Sequence, residues 1–523
     1  MRKMFHLFAA SVLGINLVVA VLGYPAILWS LVVFIPVILL GYRDMAQKQH
    51  SILRNYPVLG HFRFLLEEIR PEIHQYFVES DTDGAPFNRQ QRSVVYARSK
   101  NARDTMPFGT MQDVYEVGYE WVNHSILARH IDPKDLRVTI GGPDCKQPYS
   151  ASILNVSAMS FGALSPNAIK SLNIGAKMGN FAHNTGEGGI SPYHLQGGDL
   201  IWQVGTGYFG CRDHEGRFNP ETFQMRATRP EVKMIEVKVS QGAKPGHGGI
   251  LPAAKLTKEI AEIRDVPMGH DVNSPPGHTA FSTPLEMMEF IKQLRDLSGG
   301  KPVGFKLCVG KRREFLSICK AMLQTGITPD FITVDGGEGG TGAAPLEFTN
   351  SIGTPLVEGL IFVHSALVGS GLRDRIKVIS SGKATSGFGI IKRMALGADA
   401  CNSARGMMMA LGCIQAQKCN TNTCPVGVAT QNPRYAEALV VEDKAQRVYN
   451  FHKNTEASVC EMMGAMGLSS PEEIQPWHLM RRINSTEIKN YSEIYDFLEP
   501  GVLVNDPPPS YARAWNAAKA ESF

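Results

Sequence analysis

Two kinds of hydrophobic pattern divide the chain. Between Met4 and Gly41 there is no Asp, Glu, Lys or Arg, and a single helix over that stretch would be about 55 Å long, well beyond the roughly 30 Å hydrocarbon core of a bilayer. Gly23 and Pro25 interrupt the stretch near its middle. The pattern therefore predicts a transmembrane hairpin over residues 1–43, with spans at Phe5–Leu22 and Ala26–Tyr42.

Positive residues flank this hairpin on both outer sides, at Arg2 and Lys3 before it and at Arg43 and Lys48 after it. Because lysine and arginine are retained on the cytoplasmic side of a membrane, we expect a membrane-anchored protein whose remaining residues are cytoplasmic. A cleaved signal peptide ending near Gly23 is the alternative, but it would leave the second apolar span unexplained.

The second pattern begins near residue 151, where short apolar runs recur with amphipathic stretches between several of them, clearest at Pro284–Leu297 and Glu314–Gln324. Strands that alternate with helices indicate parallel βαβ units, and eight of them predict an α/β fold of the (β/α)8 TIM-barrel type over residues 151–432. An open doubly wound sheet is the alternative, but no Gly-x-Gly-x-x-Gly follows the first run. The predicted strands are Ile153–Ser157, Phe181–Asn184, Met234–Val239, Val266–Asp271, Val303–Leu307, Phe331–Val334, Lys377–Ile379 and Ala400–Ser403, with residues 190–230 as an insertion.

The remaining segments carry weaker patterns. Residues 44–150 are polar and arginine-rich, and they are predicted to form a connector that wraps the barrel, with a short helix ended by Pro71 and a turn at residues 81–84. Residues 433–523 show helical patterns at about Tyr435–Met466 and Pro471–Leu479, which predict a helical C-terminal extension.

Composition narrows the class of function. Apolar residues make up 43% of the chain and charged residues 20%, and the formal net charge of +4 comes without a Lys/Arg run, so nucleic acid is not an expected partner. Nine cysteines in a long chain do not resemble a disulfide framework. They indicate a reducing compartment and a metal or redox role.

Three of those cysteines, Cys413, Cys419 and Cys424, lie within a dozen residues in the spacing C-x5-C-x4-C, and Pro425 follows them. Thiolates favour zinc, copper(I) and iron–sulfur clusters, and a terminal Cys-Pro is typical of iron–sulfur ligand runs. The alternative is three ordinary core cysteines, since free cysteine is among the most buried residue types.

The predicted strand ends carry the other candidate chemistry, because active sites of barrels lie at the C-terminal ends of the strands. The loops after the seventh and eighth strands offer glycine amides together with Arg405, a typical phosphate site. Lys244 and Lys306 are expected to point into the same mouth, where a cation stabilises an anionic flavin or binds a carboxylate. Tight turns and solvated lysines are the alternatives. Taken together, these features indicate electron transfer between a metal cluster and FMN.

The motifs in residues 150–435 resemble the FMN-binding domain of glutamate synthase. Residues 55–60 and the apolar hairpin resemble the stand-alone membrane-anchored members of that family. The stretches that carry the resemblance are 155–165, 185–189, 241–246, 335–342 and 413–430. The resemblance implies FMN beside a [3Fe-4S] cluster on Cys413, Cys419 and Cys424, and catalytic roles at the substrate for Lys244, Glu187 and Gln241. It also implies that FMN is bound by Met159, Ser160, Thr185, Lys306, Gly336, Gly337, Ser381, Gly382, Arg405 and Gly406.

The implied reaction is the FMN-dependent reductive amination of 2-oxoglutarate, or a similar 2-oxo acid through its imine, to glutamate. No glutaminase domain is evident in this chain, so we expect an external electron donor, a ferredoxin or reductase subunit, and ammonia from solution or a separate subunit. His247 stands where the family usually has glutamate, which leaves the substrate open. Two alternatives are a dehydrogenase that passes electrons from an amino or hydroxy acid to a membrane quinone, and a non-catalytic barrel scaffold.

Overall fold

Eight parallel strands close into a barrel in the computed structural model, which describes residues 1–523 apart from the side chain of residue 135. The barrel closes where the last strand pairs with the first, with Asn402 opposite Asn155. This architecture confirms the predicted (β/α)8 barrel. In chain order, the barrel strands are Leu154–Val156, His183–Asn184, Leu200–Val204, Val232–Lys238, Val303–Cys308, Phe331–Asp335, Lys377–Ser381 and Ala400–Ser403.

One predicted strand is wrong. Val266–Asp271 is not a strand, because Pro267 lacks an N–H for a ladder and Gly269 has a φ of +90° that turns the chain. The third barrel strand is instead Leu200–Val204, all five residues of which are buried, inside the stretch predicted to be an insertion. Lys244 therefore follows the fourth strand and not the third.

The true insertion lies between the fourth strand and the helix Pro284–Leu297. It contains a two-stranded antiparallel ladder of Ile250–Leu251 with Val272–Asn273, and the helix Lys258–Arg264 between them. This insertion brings Lys255 and Arg264 to the mouth of the barrel.

Helices follow most of the barrel strands. Pro284–Leu297 has the predicted bounds and begins with a capping box, in which Thr283 accepts from the backbone of Glu286. The predicted helix at 314–324 lies within Arg312–Thr325. The other helices of this layer are Pro166–Gly179, Pro220–Ala227, Leu346–Ser351, Leu356–Gly369, Gly387–Ala395 and Arg405–Leu411.

The C-terminal region is mainly helical, as predicted, and its longest helix, Val441–Ala465, packs on Pro166–Gly179. Two short strands there had no clear pattern in the sequence. Leu479–Arg482 pairs with both Ile488–Asn490 and Glu120–Val122, so the connector and the C-terminal region share one antiparallel sheet. Arg137–Ile140 pairs with Tyr149–Ser152 in a second ladder, and further short helices are Arg89–Ser99, Pro433–Ala436, Tyr491–Ile494, Val502–Asn505 and Pro509–Ala517.

The chain divides into two structural units, residues 1–86 and 87–523. The first contains two helices that are long and apolar enough to cross a membrane, over 2–21 and 25–46, close to the predicted spans. Gly23, with a φ of +97°, forms the turn between them. Ser51–Asn55, Gly60–Ile73 and a single π turn at His74–Val78 follow. Pro71 does not end the helix, contrary to the prediction, since the helix continues past it to Ile73.

Candidate functional site

A cavity opens at the C-terminal ends of the barrel strands, the edge at which barrel enzymes place their chemistry. Eight of the predicted site residues line it. They are Met159, Ser160, Glu187, Gln241, Lys244, Lys306, Arg405 and Cys419. The other eight, at nearby strand ends and in the cysteine loop, are not part of the cavity wall, and these are Thr185, Gly336, Gly337, Ser381, Gly382, Gly406, Cys413 and Cys424.

Lys306 forms a buried ion pair at the edge of this cavity. Its Nζ lies 3.0 Å from Asp335 Oδ2, and the same carboxylate oxygen accepts a hydrogen bond from the backbone N–H of Gly242 at 3.1 Å. Burial by itself lowers the pKa of Lys306, but Asp335 and Glu236 outweigh it, so the pKa lies above its ordinary value. Lys306 is therefore a fixed positive charge in the cavity wall.

A second carboxylate lies deeper in the barrel interior. The fully buried Glu236 accepts hydrogen bonds from Asn184 Nδ2 at 2.8 Å, Gln203 Nε2 at 2.6 Å and Thr333 Oγ1 at 2.7 Å. Three donors satisfy a buried carboxylate that would otherwise be very costly to desolvate. The sequence analysis did not single out this group, because its partners come from three other strands.

Glu187 and Lys238 form a second ion pair, with 2.6 Å between Glu187 Oε1 and Lys238 Nζ. Burial raises the pKa of Glu187, but Lys238, Arg264 and Lys244 together hold it below its ordinary value. Glu187 is therefore an ionised carboxylate surrounded by three cations, two of which sequence reasoning did not identify.

Lys244 is almost completely buried, and its Nζ donates to the carbonyl of Ala343 at 2.8 Å. Burial and the charge of Lys238 lower the pKa of Lys244 to about 8, while Glu187 opposes them. This ammonium has a carbonyl partner, forms no ion pair with a carboxylate among the described residues, and faces a cavity. Such a group can bind an anion and can exchange a proton near neutral pH.

Glycines allow the strand-end loops to approach one another. A Cβ on Gly242 would lie 1.7 Å from the carbonyl oxygen of Gly336, and a Cβ on Gly340 would lie 2.7 Å from Arg405 Nε. The close approach of these loops at Gly242 and Gly340 therefore depends on the absence of a side chain.

Arg405 and a second cation flank an aromatic ring that sequence reasoning missed. The guanidinium of Arg405 lies 4.9 Å from the centre of the Phe87 ring, and Lys383 Nζ lies 5.7 Å from it. Arg405 Nη2 also donates to the carbonyl of Glu338 at 2.9 Å. Phe87 lies within the polar connector, where an isolated aromatic residue gives no signal of a site.

The three thiols of the cysteine loop influence one another electrostatically. Burial, together with the neighbouring Cys419 and Cys424, raises the pKa of Cys413 to about 11. Among the described residues, no three His, Cys, Asp or Glu side chains are arranged to hold one metal ion. The loop therefore offers three soft donors, the ligand type that iron–sulfur clusters take, and no site for a single ion among the described residues.

Lys255, from the insertion, joins the cysteine loop to the cavity. Its Nζ donates to the carbonyls of Ala163 at 2.6 Å, Ala429 at 3.2 Å and Cys419 at 3.3 Å. Burial lowers its pKa to about 8, against the opposing effect of Cys419 and Cys424. Among the residues that the structure describes, this buried ammonium has carbonyl partners and no ion pair with a carboxylate.

Known proteins similar to this chain are consistent with these observations. Residues 130–469 match the family model described as the conserved region in glutamate synthase. The glutamate synthase large subunit-like protein YerD of Bacillus subtilis is 37% identical over 509 residues, covering 88% of this chain and 96% of that protein. The archaeal NADPH glutamate synthase of Archaeoglobus fulgidus is 35% identical over 323 residues, covering 61% of this chain and 60% of that protein.

Among solved structures, a flavocytochrome b2 double mutant with pyruvate bound gives a TM-score of 0.41 at 12% identity, covering 89% of this chain and 96% of that one. Because this structural similarity is weak, the assignment of the barrel fold rests on the strand order described above. The family model covers well over half of the chain, and it agrees with the resemblance found in the motifs. The chain belongs to the glutamate synthase family of oxidoreductases.

Proposed function

We propose that this chain is a membrane-anchored oxidoreductase of glutamate synthase type, which binds FMN and a [3Fe-4S] cluster and converts 2-oxoglutarate, or a similar 2-oxo acid, to the amino acid through its imine. The observation that carries the proposal is the set of buried charges around one cavity at the C-terminal edge of the barrel. Lys244 faces that cavity and has no carboxylate partner in the part of the chain that the structure describes, while Lys306 and Lys238 are paired.

The cavity suits FMN because its wall combines fixed cations with glycines. Arg405 and the glycine loops are proposed to bind the phosphate, and Lys306, Met159 and Ser160 to contact the flavin ring. The proposal is supported by the presence of all four side chains in the cavity wall. Thr185, Gly336, Gly337, Ser381, Gly382 and Gly406 are proposed to support these contacts from the adjoining strand ends. Bound FMN supplies hydride-transfer chemistry.

Lys244 is proposed to bind the substrate carboxylate through its ammonium group, and Gln241 to orient the substrate by hydrogen bonding. The ionised Glu187 keeps Lys238 in place and raises the pKa of Lys244, so that Lys244 remains a cation at neutral pH. A cation held at one end of the substrate fixes its orientation without further rearrangement.

Cys413, Cys419 and Cys424 are proposed to hold the cluster, which supplies one-electron transfer. The external electron donor is proposed to be a ferredoxin or a reductase subunit, and ammonia to come from solution or a separate subunit. The two apolar helices are proposed to anchor the chain in a membrane, with the barrel in the cytoplasm.

A second candidate is a dehydrogenase that oxidises an amino or hydroxy acid and reduces a membrane quinone. The observation that favours it is the pair of membrane-length helices, which would keep the protein beside a lipid-soluble acceptor. A barrel kept only as a binding scaffold is the remaining alternative, and purified protein without flavin or iron–sulfur absorbance would favour it.

The test is an assay of the full-length protein with 2-oxoglutarate, ammonia and a low-potential reductant, with glutamate measured by chromatography. Glutamate formation that is lost in Lys244→Met and kept in Lys258→Met is the expected result, because the Lys258 side chain is 86% exposed. Quinone reduction by an amino acid without glutamate formation would replace the proposal with the dehydrogenase.

A further inference from the structure

The helix Gly60–Ile73 carries an apolar stripe that is exposed along its whole length. Phe62, Leu65, Leu66, Ile69 and Ile73 recur at steps of three and four residues, so they share one face of the helix, and Phe77 continues the series beyond it. Each of these side chains is exposed, with 57% exposure for Leu66 and 84% for Phe77. A stripe this continuous indicates an apolar partner for the segment.

The opposite face of the same helix is charged with both signs. It carries two arginines and three glutamates, among which Arg63 and Glu67 form an ion pair of 2.9 Å one turn apart. A helix with one apolar stripe, a charged opposite face and little overall hydrophobicity is the type that lies in the interface of a bilayer. The mixed charge gives no reason to select anionic lipids.

Asp44 fixes where this helix begins. The Asp44 carboxylate lies in the last turn of the second apolar helix, where it accepts from the backbone N–H of Val58 at 2.9 Å and lies 2.9 Å from His61 Nε2. Arg2, at the start of the first apolar helix, donates to the carbonyl of Arg54 at 2.7 Å. Residues 54–61, which lead into the helix, therefore contact the end of the hairpin that holds the start of the first apolar helix and the end of the second.

We propose that residues 60–78 lie in the membrane–water interface, with the Phe62–Phe77 stripe against the acyl chains of the lipid. This inference rests on the proposed membrane anchor, because the contacts of Asp44 hold the helix where the second span leaves the bilayer. The partner is the bilayer itself, recognised through apolar burial and not through headgroup charge.

The test uses the full-length protein in nanodiscs, with the photoreactive residue p-benzoylphenylalanine in place of Leu66, and lipid adducts measured by mass spectrometry. Glu67 is the matched control on the polar face, and Leu17, which is 65% exposed in the first apolar helix, reports on the anchor. Lipid adducts are expected at positions 17 and 66, with equal yield in zwitterionic and mixed anionic lipid, and the adduct yield at position 67 is expected to be at least tenfold lower than at 66.

Adducts at position 17 without adducts at 66 would overturn the inference and leave the anchor in place. Lipid adducts at neither position would overturn both. Crosslinks from position 66 to a second copy, or to residues 87–523, would assign the stripe to a protein interface instead of lipid. A yield at 66 that rises steeply with anionic lipid would contradict the apolar recognition.

Discussion

Lys306 Nζ and Asp335 Oδ2 lie 3.0 Å apart at the rim of the barrel, where both side chains are buried. Lys306 belongs to the fifth strand and Asp335 ends the sixth, and the parallel register places Cys308, two residues after the lysine, opposite Asp335. Because Asp335 also accepts from the N–H of Gly242, this one carboxylate joins two strands and the loop that carries Gln241 and Lys244.

Replacing Asp335 with asparagine is expected to lower the free energy of unfolding by about 3–5 kcal/mol, because Lys306 would be left as an uncompensated buried charge. Denaturant unfolding followed by circular dichroism measures the change. The matched control is Glu314→Gln, which removes the exposed partner of Lys311 and should cost less than about 1 kcal/mol. Equal losses in the two variants would contradict a structural role for the pair.

The pKa of Lys244 predicts that activity decreases at alkaline pH, which forms the alkaline limb of the pH–activity profile. With a pKa of about 8, its ammonium is present at pH 7 and is lost as the pH rises through about 8, so kcat/KM should fall above that pH. Lys244→Met should lower kcat/KM at pH 7 roughly 10- to 100-fold, the worth of one charge-assisted hydrogen bond, and remove the limb. A limb that persists in Lys244→Met would assign it to another group.

Glu187→Gln tests the electrostatic coupling between the two residues. The carboxylate raises the pKa of Lys244, so its removal should move the alkaline limb of kcat/KM to lower pH. The same profile measured on Glu259→Gln is a control, since that glutamate accepts from Tyr193, whereas the charges that act on Lys244 are those of Lys238 and Glu187. A limb that stays in place, or moves to higher pH, would show that Glu187 does not set the charge of Lys244.

Cys419→Ser is expected to remove the iron–sulfur absorbance and to lower the iron content of the purified protein, while FMN is largely retained. The reason is that serine offers a harder oxygen ligand in place of a thiolate. Cys145→Ser is the control, because that thiol is close to the backbone of Gly300 and lies outside the cysteine loop. Unchanged iron content in Cys419→Ser would contradict the proposed ligand.

Removal of residues 1–43 is expected to leave a protein that still binds flavin, because the buried apolar cluster of the barrel is built from residues 87–523. The flavin absorbance per chain, compared between the truncated and full-length proteins in the same detergent, is the measurement. Loss of flavin from a folded truncated protein would show that the hairpin supports the barrel.

The barrel could be predicted because its strands are short apolar runs bounded by glycine and polar residues. The third strand was missed because Leu200–Val204 lies within a long stretch rich in glycine and polar residues, whereas the run at Val266 had a similar composition but contained Pro267. Local pattern cannot decide between two such runs, since the choice depends on which one completes the closed ladder.

The sequence by itself determined seven of the eight barrel strands, the glycine loops, the apolar hairpin and the cysteine spacing, because each depends on residues near one another along the chain. Only the tertiary structure decided which charges meet. Lys255 reaches the carbonyl of Cys419 across 164 residues, and Phe87 reaches Gln415 across 328. Burial and pairing, which set the charge of Lys306, Glu187 and Lys244, arise only when the barrel closes and excludes water.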